Sequence, residues 1–148
     1  MAVILAGGED PALSRFLRRN LPARLFSESG PALCFSGKDC PELTPGAVLI
    51  ADSGSALPFR PENIRVISCG RSEKDTFTFS SRGEESGSVA LMRDICGLEP
   101  LELPVEYPAD TGDFPILAAA AALLLTGSLP EGKIRFYPPD EDRENLNK

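Results

Sequence analysis

Residues 1–11 read Met-Ala-Val-Ile-Leu-Ala-Gly-Gly-Glu-Asp-Pro and combine a strand pattern, a turn and a helix start. The continuous apolar run at residues 2–6 predicts a strand that is buried on both faces. The two glycines predict a tight turn, and Asp10 followed by Pro11 predicts a capped helix N-terminus. A strand, a turn and a helix in this order are typical of a wound α/β sheet.

The helix predicted after Pro11 is amphipathic. Leu13, Phe16, Leu17 and Leu21 recur at helical spacing and form one apolar stripe. We expect the helix to end at the proline that follows Leu21, because proline removes a backbone donor and disfavours a continued helix.

Four further short strands are predicted before residue 72, at residues 24–27, 32–35, 47–51 and 65–69. No long helical pattern separates them, so their connections should be short or irregular. We therefore predict a small, partly parallel, Rossmann-like sheet rather than a full Rossmann fold.

The pattern changes after residue 75. Alternating apolar and polar residues at 76–80, 89–95 and 101–107, joined by turns, predict an antiparallel meander of half-buried strands. The third strand contains Pro104, which cannot donate a ladder hydrogen bond, so we expect it to lie at an edge.

A second helix is predicted from Asp113, read as its N-cap, to the glycine at position 127. Residues 114–125 are apolar on every face, which indicates a fully buried helix. Residues 133–137 predict a last short strand, and the polar residues 138–148 a disordered acidic tail.

The fold class predicted from these patterns is α/β. We expect one domain over residues 1–137, with a wound α/β part at 1–71 and a meander plus buried helix at 72–137.

Charge and hydropathy exclude several function classes. The 148 residues carry a net charge of −7, which argues against nucleic-acid binding because phosphate contacts need clustered cations. The basic cluster of Arg15, Arg18 and Arg19, with Arg24 nearby, is interpreted as the solvated face of the first helix, and the alternative is an anion or partner site. The longest apolar stretch is too short to span a bilayer, and residues 1–6 lack a positive signal-peptide region, so we expect a cytoplasmic protein without a membrane partner.

Histidine is absent, which removes the Ser-His-Asp and Cys-His nucleophile systems and the commonest metal ligand. Cys34, Cys40, Cys69 and Cys96 form no C-x-x-C pair, so we interpret them as free thiols rather than metal ligands. We predict no metal and no cofactor.

The turn at Gly7 and Gly8 precedes a helix N-terminus, where anions often bind. However, Glu9 and Asp10 would repel a phosphate, and the sequence is neither a dinucleotide fingerprint nor a P-loop. We interpret this segment as a structural turn.

The main candidate ligand site comprises Asp52, Ser53, Arg71 and Ser72. These residues follow two of the predicted strands, and ligands of open α/β sheets bind beyond the carboxyl ends of the strands. If the two strands are parallel neighbours, an aspartate, two hydroxyls and an arginine share one rim that could hold a polar ligand. The alternative interpretation is ordinary turn chemistry, which uses the same residue types.

A second motif resembles the aspartic proteases. Residues 49–54 fit their hydrophobic-hydrophobic-x-Asp-Ser/Thr-Gly pattern, and Asp110, Thr111 and Gly112 repeat the core triplet. Two carboxylates that share a proton can activate water without histidine. The two triplets are nevertheless too close in sequence to belong to two barrel lobes, so this hydrolase is the weakest alternative.

The order of elements from residue 48 to 134 resembles the second half of a Mur ligase central domain. In that family a strand ends in an aspartate, here residues 48–52, and a strand and turn like residues 65–70 follow. An antiparallel sheet comes next, and then an Ala/Leu-rich helix ending at glycine, here residues 117–127. The resemblance implies a related α/β scaffold.

The chain departs from that family where the ligases bind and use ATP. It has no P-loop, and residues 110–113 occupy the position at which the family has a short motif containing histidine and asparagine. The resemblance therefore implies the fold without ATP-driven ligation, and no catalytic residue is transferred. We expect a non-catalytic binding or accessory domain that acts through a partner protein or a small polar ligand. The alternative is a small nucleotide- or phosphate-binding enzyme that uses Asp52 and Arg71.

Overall fold

The structure is a computed structural model that describes residues 3–5, 11–26, 33–35, 48–54 and 65–139, with the backbone alone at 3–5 and 33–35. It confirms an α/β protein. In chain order the described elements are β1 (Val3–Leu5), α1 (Pro11–Asn20), β2 (Leu33–Phe35), β3 (Val48–Asp52), β4 (Arg65–Cys69), β5 (Phe77–Arg82), β6 (Ser86–Leu91), β7 (Leu101–Glu106), α2 (Asp113–Leu125) and β8 (Ile134–Arg135).

The described strands form one mixed sheet in the order β2-β1-β3-β4-β5-β6-β7-β8. The strands from β2 to β4 are parallel, and β5, β6 and β7 form the antiparallel meander that the sequence predicted. β3 and β4 are parallel neighbours, with Val48 opposite Arg65 and Asp52 opposite Cys69. Their carboxyl ends therefore lie side by side.

The parallel and antiparallel parts of the sheet meet at a narrow junction, which we call the seam. β4 and β5 are parallel, and Cys69 opposite Phe77 is their one residue pair. The Gly70 N–H donates to the Phe77 carbonyl oxygen at 3.2 Å. Side-by-side parallel strands need a long crossover, but residues 70–76 suffice here because β5 starts where β4 ends.

α2 lies against the sheet on both sides of the seam, where it packs on β1, β3, β4 and β5 as well as on α1. Every residue from Ile116 to Leu124 is buried, as the sequence predicted. The run of alanines at 118–122 gives the helix a thin profile, so that it can approach its neighbours closely. The helix ends in a Schellman motif: Gly127 has φ +66°, and the Gly127 and Ser128 N–H groups donate to the carbonyl oxygens of Leu124 and Leu123.

Three sequence predictions about individual elements are wrong in detail. Residues 24–27 were expected to form a strand, but Ala23–Phe26 form a 3-10 turn. The Leu25 N–H donates to the Pro22 carbonyl oxygen at 3.0 Å, and the Leu25 side chain is buried in the core. The core contact of Leu25 thus outweighs the local strand propensity.

The second meander strand was expected at residues 89–95 but lies at Ser86–Leu91. The chain leaves the sheet at Met92 and turns at Cys96 and Gly97, which have φ +52° and +80°. Ile95 and Leu98 exchange two backbone hydrogen bonds across this turn, at 3.1 and 2.8 Å. The alternating pattern therefore continues past the strand into a separate tight hairpin.

The strand with Pro104, which is β7, was predicted to lie at an edge of the sheet. This prediction is wrong for the carboxyl end of β7. β8 pairs in parallel with β7, with Val105 opposite Ile134 and Glu106 opposite Arg135. Glu106 also holds Lys133 and Arg135 in salt bridges of 2.8 and 2.9 Å. The last predicted strand thus exists and covers the end of β7.

Several sequence predictions lie outside the described residues, namely the turn at Gly7 and Gly8, the cap at Asp10, the thiol of Cys40 and the tail from residue 140 onward. Where thiols are described, Cys69 and Cys96 are free, as expected. In the part of the chain that the structure describes, no helix is long and apolar enough to cross a membrane.

Asn20 fastens the chain after β8 to the end of α1. The Tyr137 N–H donates to Asn20 Oδ1 at 2.7 Å, and Asn20 Nδ2 donates to the Tyr137 carbonyl oxygen at 2.9 Å. Arg19 lies over the Tyr137 ring, with its guanidinium carbon 5.1 Å from the ring centroid. Arg24 also donates to Ser128 Oγ at 2.8 Å. These two arginines of the cluster predicted to be solvated therefore contact other side chains.

We expect Asn20→Ala to lower the free energy of unfolding by about 1–2 kcal/mol, because two hydrogen bonds to one backbone unit are lost. Urea unfolding followed by circular dichroism measures the change. Ser14→Ala, a half-buried position on the same helix, is the control and should change stability by less than about 0.5 kcal/mol. Equal losses in both variants would show that Asn20 does not fasten this segment.

Candidate functional site

A cleft of about 540 Å³ opens beyond the carboxyl ends of β3 and β4, where α2 begins. We call it the carboxyl-edge cleft. Its lining comes from α1, from the ends of β3 and β4 and from the start of α2: Leu13; Asp52, Ser53 and Gly54; Cys69, Gly70 and Arg71; Gly112, Asp113, Phe114, Pro115 and Leu117.

Three of the four predicted site residues line this cleft. Asp52, Ser53 and Arg71 share it because β3 and β4 are parallel neighbours in register at Asp52 and Cys69. Ser72 is not in the lining. Its N–H donates to Asp75 Oδ2 at 2.9 Å and its Oγ accepts the Lys74 N–H at 3.1 Å, so it shapes the turn after β4.

Asp52 stands at the end of β3, half-buried. Its Oδ1 accepts the Gly54 N–H at 3.0 Å, which is an Asx-turn contact. Among the described residues, no cation lies within salt-bridge distance of Asp52. Within the described ranges, the β3 side of the cleft therefore carries a carboxylate without a salt-bridge partner.

Asp113, at the start of α2, accepts hydrogen bonds from two arginines. Arg71 donates to it through Nε at 2.5 Å and through its terminal nitrogen at 3.0 Å, and Arg82 Nε donates to Asp113 Oδ1 at 3.0 Å. These bonds, above all the one from Arg71, hold the pKa of the Asp113 carboxyl below its ordinary value, although partial burial opposes them. Asp113 is therefore ionised and paired at neutral pH.

The prediction that Asp113 caps α2 is wrong by one residue. Gly112 occupies the N-cap position, and no side chain caps the helix there. The Asp113 carboxylate is instead used by Arg71 and Arg82, which lie far away in the sequence. Asp113 is the first residue of the helix, so its charge still favours the positive end of the helix dipole.

Asp75 lies behind the junction of Ser53 and Gly70 and is 4% exposed. It accepts the Ser72 N–H, and Ser53 Oγ lies 3.4 Å from its Oδ2. A Cβ atom on Gly70 would overlap Ser53 Oγ and come within 2.5 Å of Asp75 Oδ2. Glycine at position 70 therefore leaves room for the buried carboxylate.

Cys69 contributes a thiol to the same region, but a poorly reactive one. Burial raises the pKa of the Cys69 thiol strongly, and the nearby carboxylates of Asp75 and Asp52 raise it further. The thiol is protonated at neutral pH, and the thiolate is the nucleophilic form. Within the described ranges, no three His, Cys, Asp or Glu side chains are grouped to hold a metal ion.

The two triplets that resemble aspartic proteases do not form a carboxylate pair in the cleft. Asp52 lines it, whereas Asp110 is exposed, has φ +67° and lies in the turn before α2. In that turn the Thr111 N–H donates to the Pro108 carbonyl oxygen at 3.3 Å. The Asp110 segment thus serves as the connection that brings α2 to the cleft.

Sequence reasoning missed the contributions of the two helices to the cleft, which are Leu13, residues 112–115 and Leu117. The buried helix was predicted, but its start could be placed at this edge only once β7 was known to run parallel to β4. One signal in the sequence could have shown this. The three strands of a meander reverse direction twice, so β7 runs parallel to β5 and ends at the same edge of the sheet as β4.

Comparisons of this chain with models of known families, with curated proteins and with solved structures each find no match. The resemblance to the Mur ligases accordingly stays a prediction. The function of the cleft has to be argued from its own chemistry.

Proposed function

We propose that this chain is a small-molecule-binding domain that holds a polar ligand in the carboxyl-edge cleft without transforming it. The observation that carries this proposal is the convergence of Asp52, Ser53 and Arg71 with the start of α2 around one cleft of about 540 Å³. Ligands of open α/β sheets bind at this edge.

The size and lining of the cleft support a small ligand. Binding pockets for small molecules typically measure about 300–1,000 Å³ and combine apolar walls with a few polar groups. Here the half-buried Phe114 and Pro115 provide apolar surface, while charges lie at the ends of β3 and β4. This combination can orient a ligand and also exclude water from part of it.

The chemistry of the described groups favours binding over catalysis. The chain has no histidine, so no imidazole can act as a base. The Cys69 thiol is protonated because burial raises its pKa. Ser53 has the buried carboxylate of Asp75 as its neighbour, at 3.4 Å, and a carboxylate is a weak base for a serine hydroxyl.

The Mur-ligase-like scaffold is part of this proposal. It is supported by the element order, in which parallel strands β3 and β4 are followed by an antiparallel meander and an Ala/Leu-rich buried helix ending at Gly127. A scaffold of that kind without a P-loop would retain a ligand site and lose ATP-driven ligation. An accessory role for a partner protein is compatible with such a domain.

The proposal is tested by thermal unfolding of the protein with nucleotides, nucleotide sugars, amino acids and inorganic phosphate, each with and without magnesium. A ligand at about 100 times its Kd should stabilise the protein by roughly 2.7 kcal/mol, which moves Tm by several degrees. We expect at least one compound class to do so.

A pair of matched variants links the shift to the cleft. Ser53→Trp places an indole in the lining, whereas Ser72→Trp places one on the neighbouring turn outside it. The ligand-induced shift should disappear in Ser53→Trp and persist in Ser72→Trp. A panel without any shift, or a shift that survives Ser53→Trp, would contradict the proposed function. A shift seen only with nucleotide and magnesium would favour the enzyme alternative.

A further inference from the structure

We infer that the ligand of the carboxyl-edge cleft is a small zwitterion with an apolar body, of the class of free α-amino acids. Its ammonium group would lie against Asp52 and its carboxylate against Arg71. This inference rests on the proposed function and names the ligand class that the charges of the cleft select.

The first step concerns the opposite charges at the two strand ends. Asp52 has no described cation partner, and its Oδ1 is already used by the Gly54 N–H, so its second oxygen is available to a donor. Arg71 stands at the end of β4 with its side chain 65% exposed. A ligand between them meets a carboxylate on one side and a guanidinium on the other.

The second step concerns whether Arg71 is free to change partners. Asp113 would keep a salt bridge if Arg71 turned to a ligand, because Arg82 Nε also donates to it at 3.0 Å. Arg82 is held in place by the Thr111 carbonyl oxygen at 2.6 Å and by stacking on Tyr107, whose ring centroid lies 4.4 Å from the guanidinium carbon. Exchange of Arg71 therefore leaves no carboxylate unpaired, which would otherwise be costly.

The third step excludes ligands with a single kind of charge. The lining carries the carboxylates of Asp52 and Asp113 against the guanidinium of Arg71. A phosphate or another dianion would be attracted by Arg71 but repelled by the Asp52 carboxylate, which has no cation partner among the described residues. A simple cation would be attracted by Asp52 but repelled by Arg71. A zwitterion satisfies both ends.

The fourth step concerns the body of the ligand. Phe114 and Pro115, at the start of α2, are half-buried and form the accessible apolar part of the lining, beside the buried Leu13 and Leu117. An aliphatic or aromatic side chain would cover this surface, and its burial contributes about 25 cal/mol per Å². We therefore expect leucine, methionine or phenylalanine to bind better than glycine.

The test uses leucine together with derivatives that each lack one charge. Isothermal titration calorimetry compares leucine with leucinamide, which lacks the carboxylate, and with N-acetyl-leucine, which lacks the ammonium group. We expect leucine to bind and each derivative to bind about tenfold or more weakly, since each loses a charge-assisted hydrogen bond.

Variants that each remove one charge then show which residue binds which end of the ligand. Asp52→Asn keeps an acceptor for the Gly54 N–H and should weaken leucine about tenfold or more without weakening N-acetyl-leucine, whose own negative charge Asp52 disfavours. Arg71→Gln should weaken leucine without weakening leucinamide, whose positive charge Arg71 disfavours. Arg65→Gln, at the exposed opposite end of the same strand, should have no effect. Thermal unfolding without ligand establishes that each variant is folded, and Arg71→Met, which also removes the charge, replaces Arg71→Gln if that variant is not.

The outcomes separate this inference from the proposed function. If a nucleotide, a nucleotide sugar or phosphate binds instead, and Ser53→Trp abolishes that binding, the function stands and the zwitterion is wrong. Equal binding of leucine and either derivative also overturns the zwitterion. If no compound of either panel binds, both proposals fail.

Discussion

Phe77→Ala is expected to lower the free energy of unfolding by about 3–5 kcal/mol, the cost of a large cavity in a packed core. Phe77 is 1% exposed and lies at the seam, as the one β5 residue opposite β4. The whole stability of a domain is only about 5–15 kcal/mol. The variant should therefore unfold roughly 10 °C or more below the parent protein in calorimetry.

Phe79→Ala is the matched control, because it removes the same side chain two positions further along β5. Phe79 is half-buried and packs edge-on against Tyr107, with ring centroids 6.5 Å apart. Its truncation should cost about 1–2 kcal/mol, less than half the loss at Phe77. A larger loss at Phe79 than at Phe77 would show that the seam is not part of the main core.

Gly87→Ala is expected to cost about 3 kcal/mol, because the new methyl group would overlap the Ser81 carbonyl oxygen. That oxygen belongs to the backbone, so relief requires the two strands to separate. The methyl would also lie 3.0 Å from the Tyr107 hydroxyl, which is 2.8 Å from the carbonyl oxygens of Gly83 and Ser86. Urea unfolding measures the loss.

Gly54→Ala is the comparison for this clash, since the nearest atom to its new Cβ would be Asp52 Oδ1 at an ordinary 3.5 Å. Its unfolding free energy should stay within about 0.5 kcal/mol of the parent value. If Gly87→Ala is as mild as Gly54→Ala, then the β5–β6 hairpin has room that its geometry does not show.

The parts of the fold that the sequence predicts well are those in which local pattern and burial agree. The apolar run at β3 and the apolar helix α2 are buried almost throughout, so a continuous hydrophobic pattern is sufficient to find them. Asp52 and Arg71 were placed together by the rule that ligands bind beyond the carboxyl ends of parallel strands. Both residues line the cleft, and whether they bind a ligand stays a prediction.

The errors occur where a turn or a distant contact overrides the local pattern. Residues 92–95 continue the alternation of β6, yet the chain turns there because Cys96 and Gly97 adopt left-handed backbone angles. Asp113 has the residue type of an N-cap, yet Arg71 and Arg82 draw its carboxylate away from the helix end. Contacts across 42 and 31 sequence positions are invisible to local rules.

The seam has a consequence for cooperativity. A sheet joined at its middle by one residue pair can open there at a lower cost than elsewhere, so we expect the parallel strands and the meander to be two units of local unfolding. α2 couples them, because it packs on β3 and β4 as well as on β5. The cleft is lined by the ends of β3 and β4 and by the start of α2, so a bound ligand would strengthen this coupling.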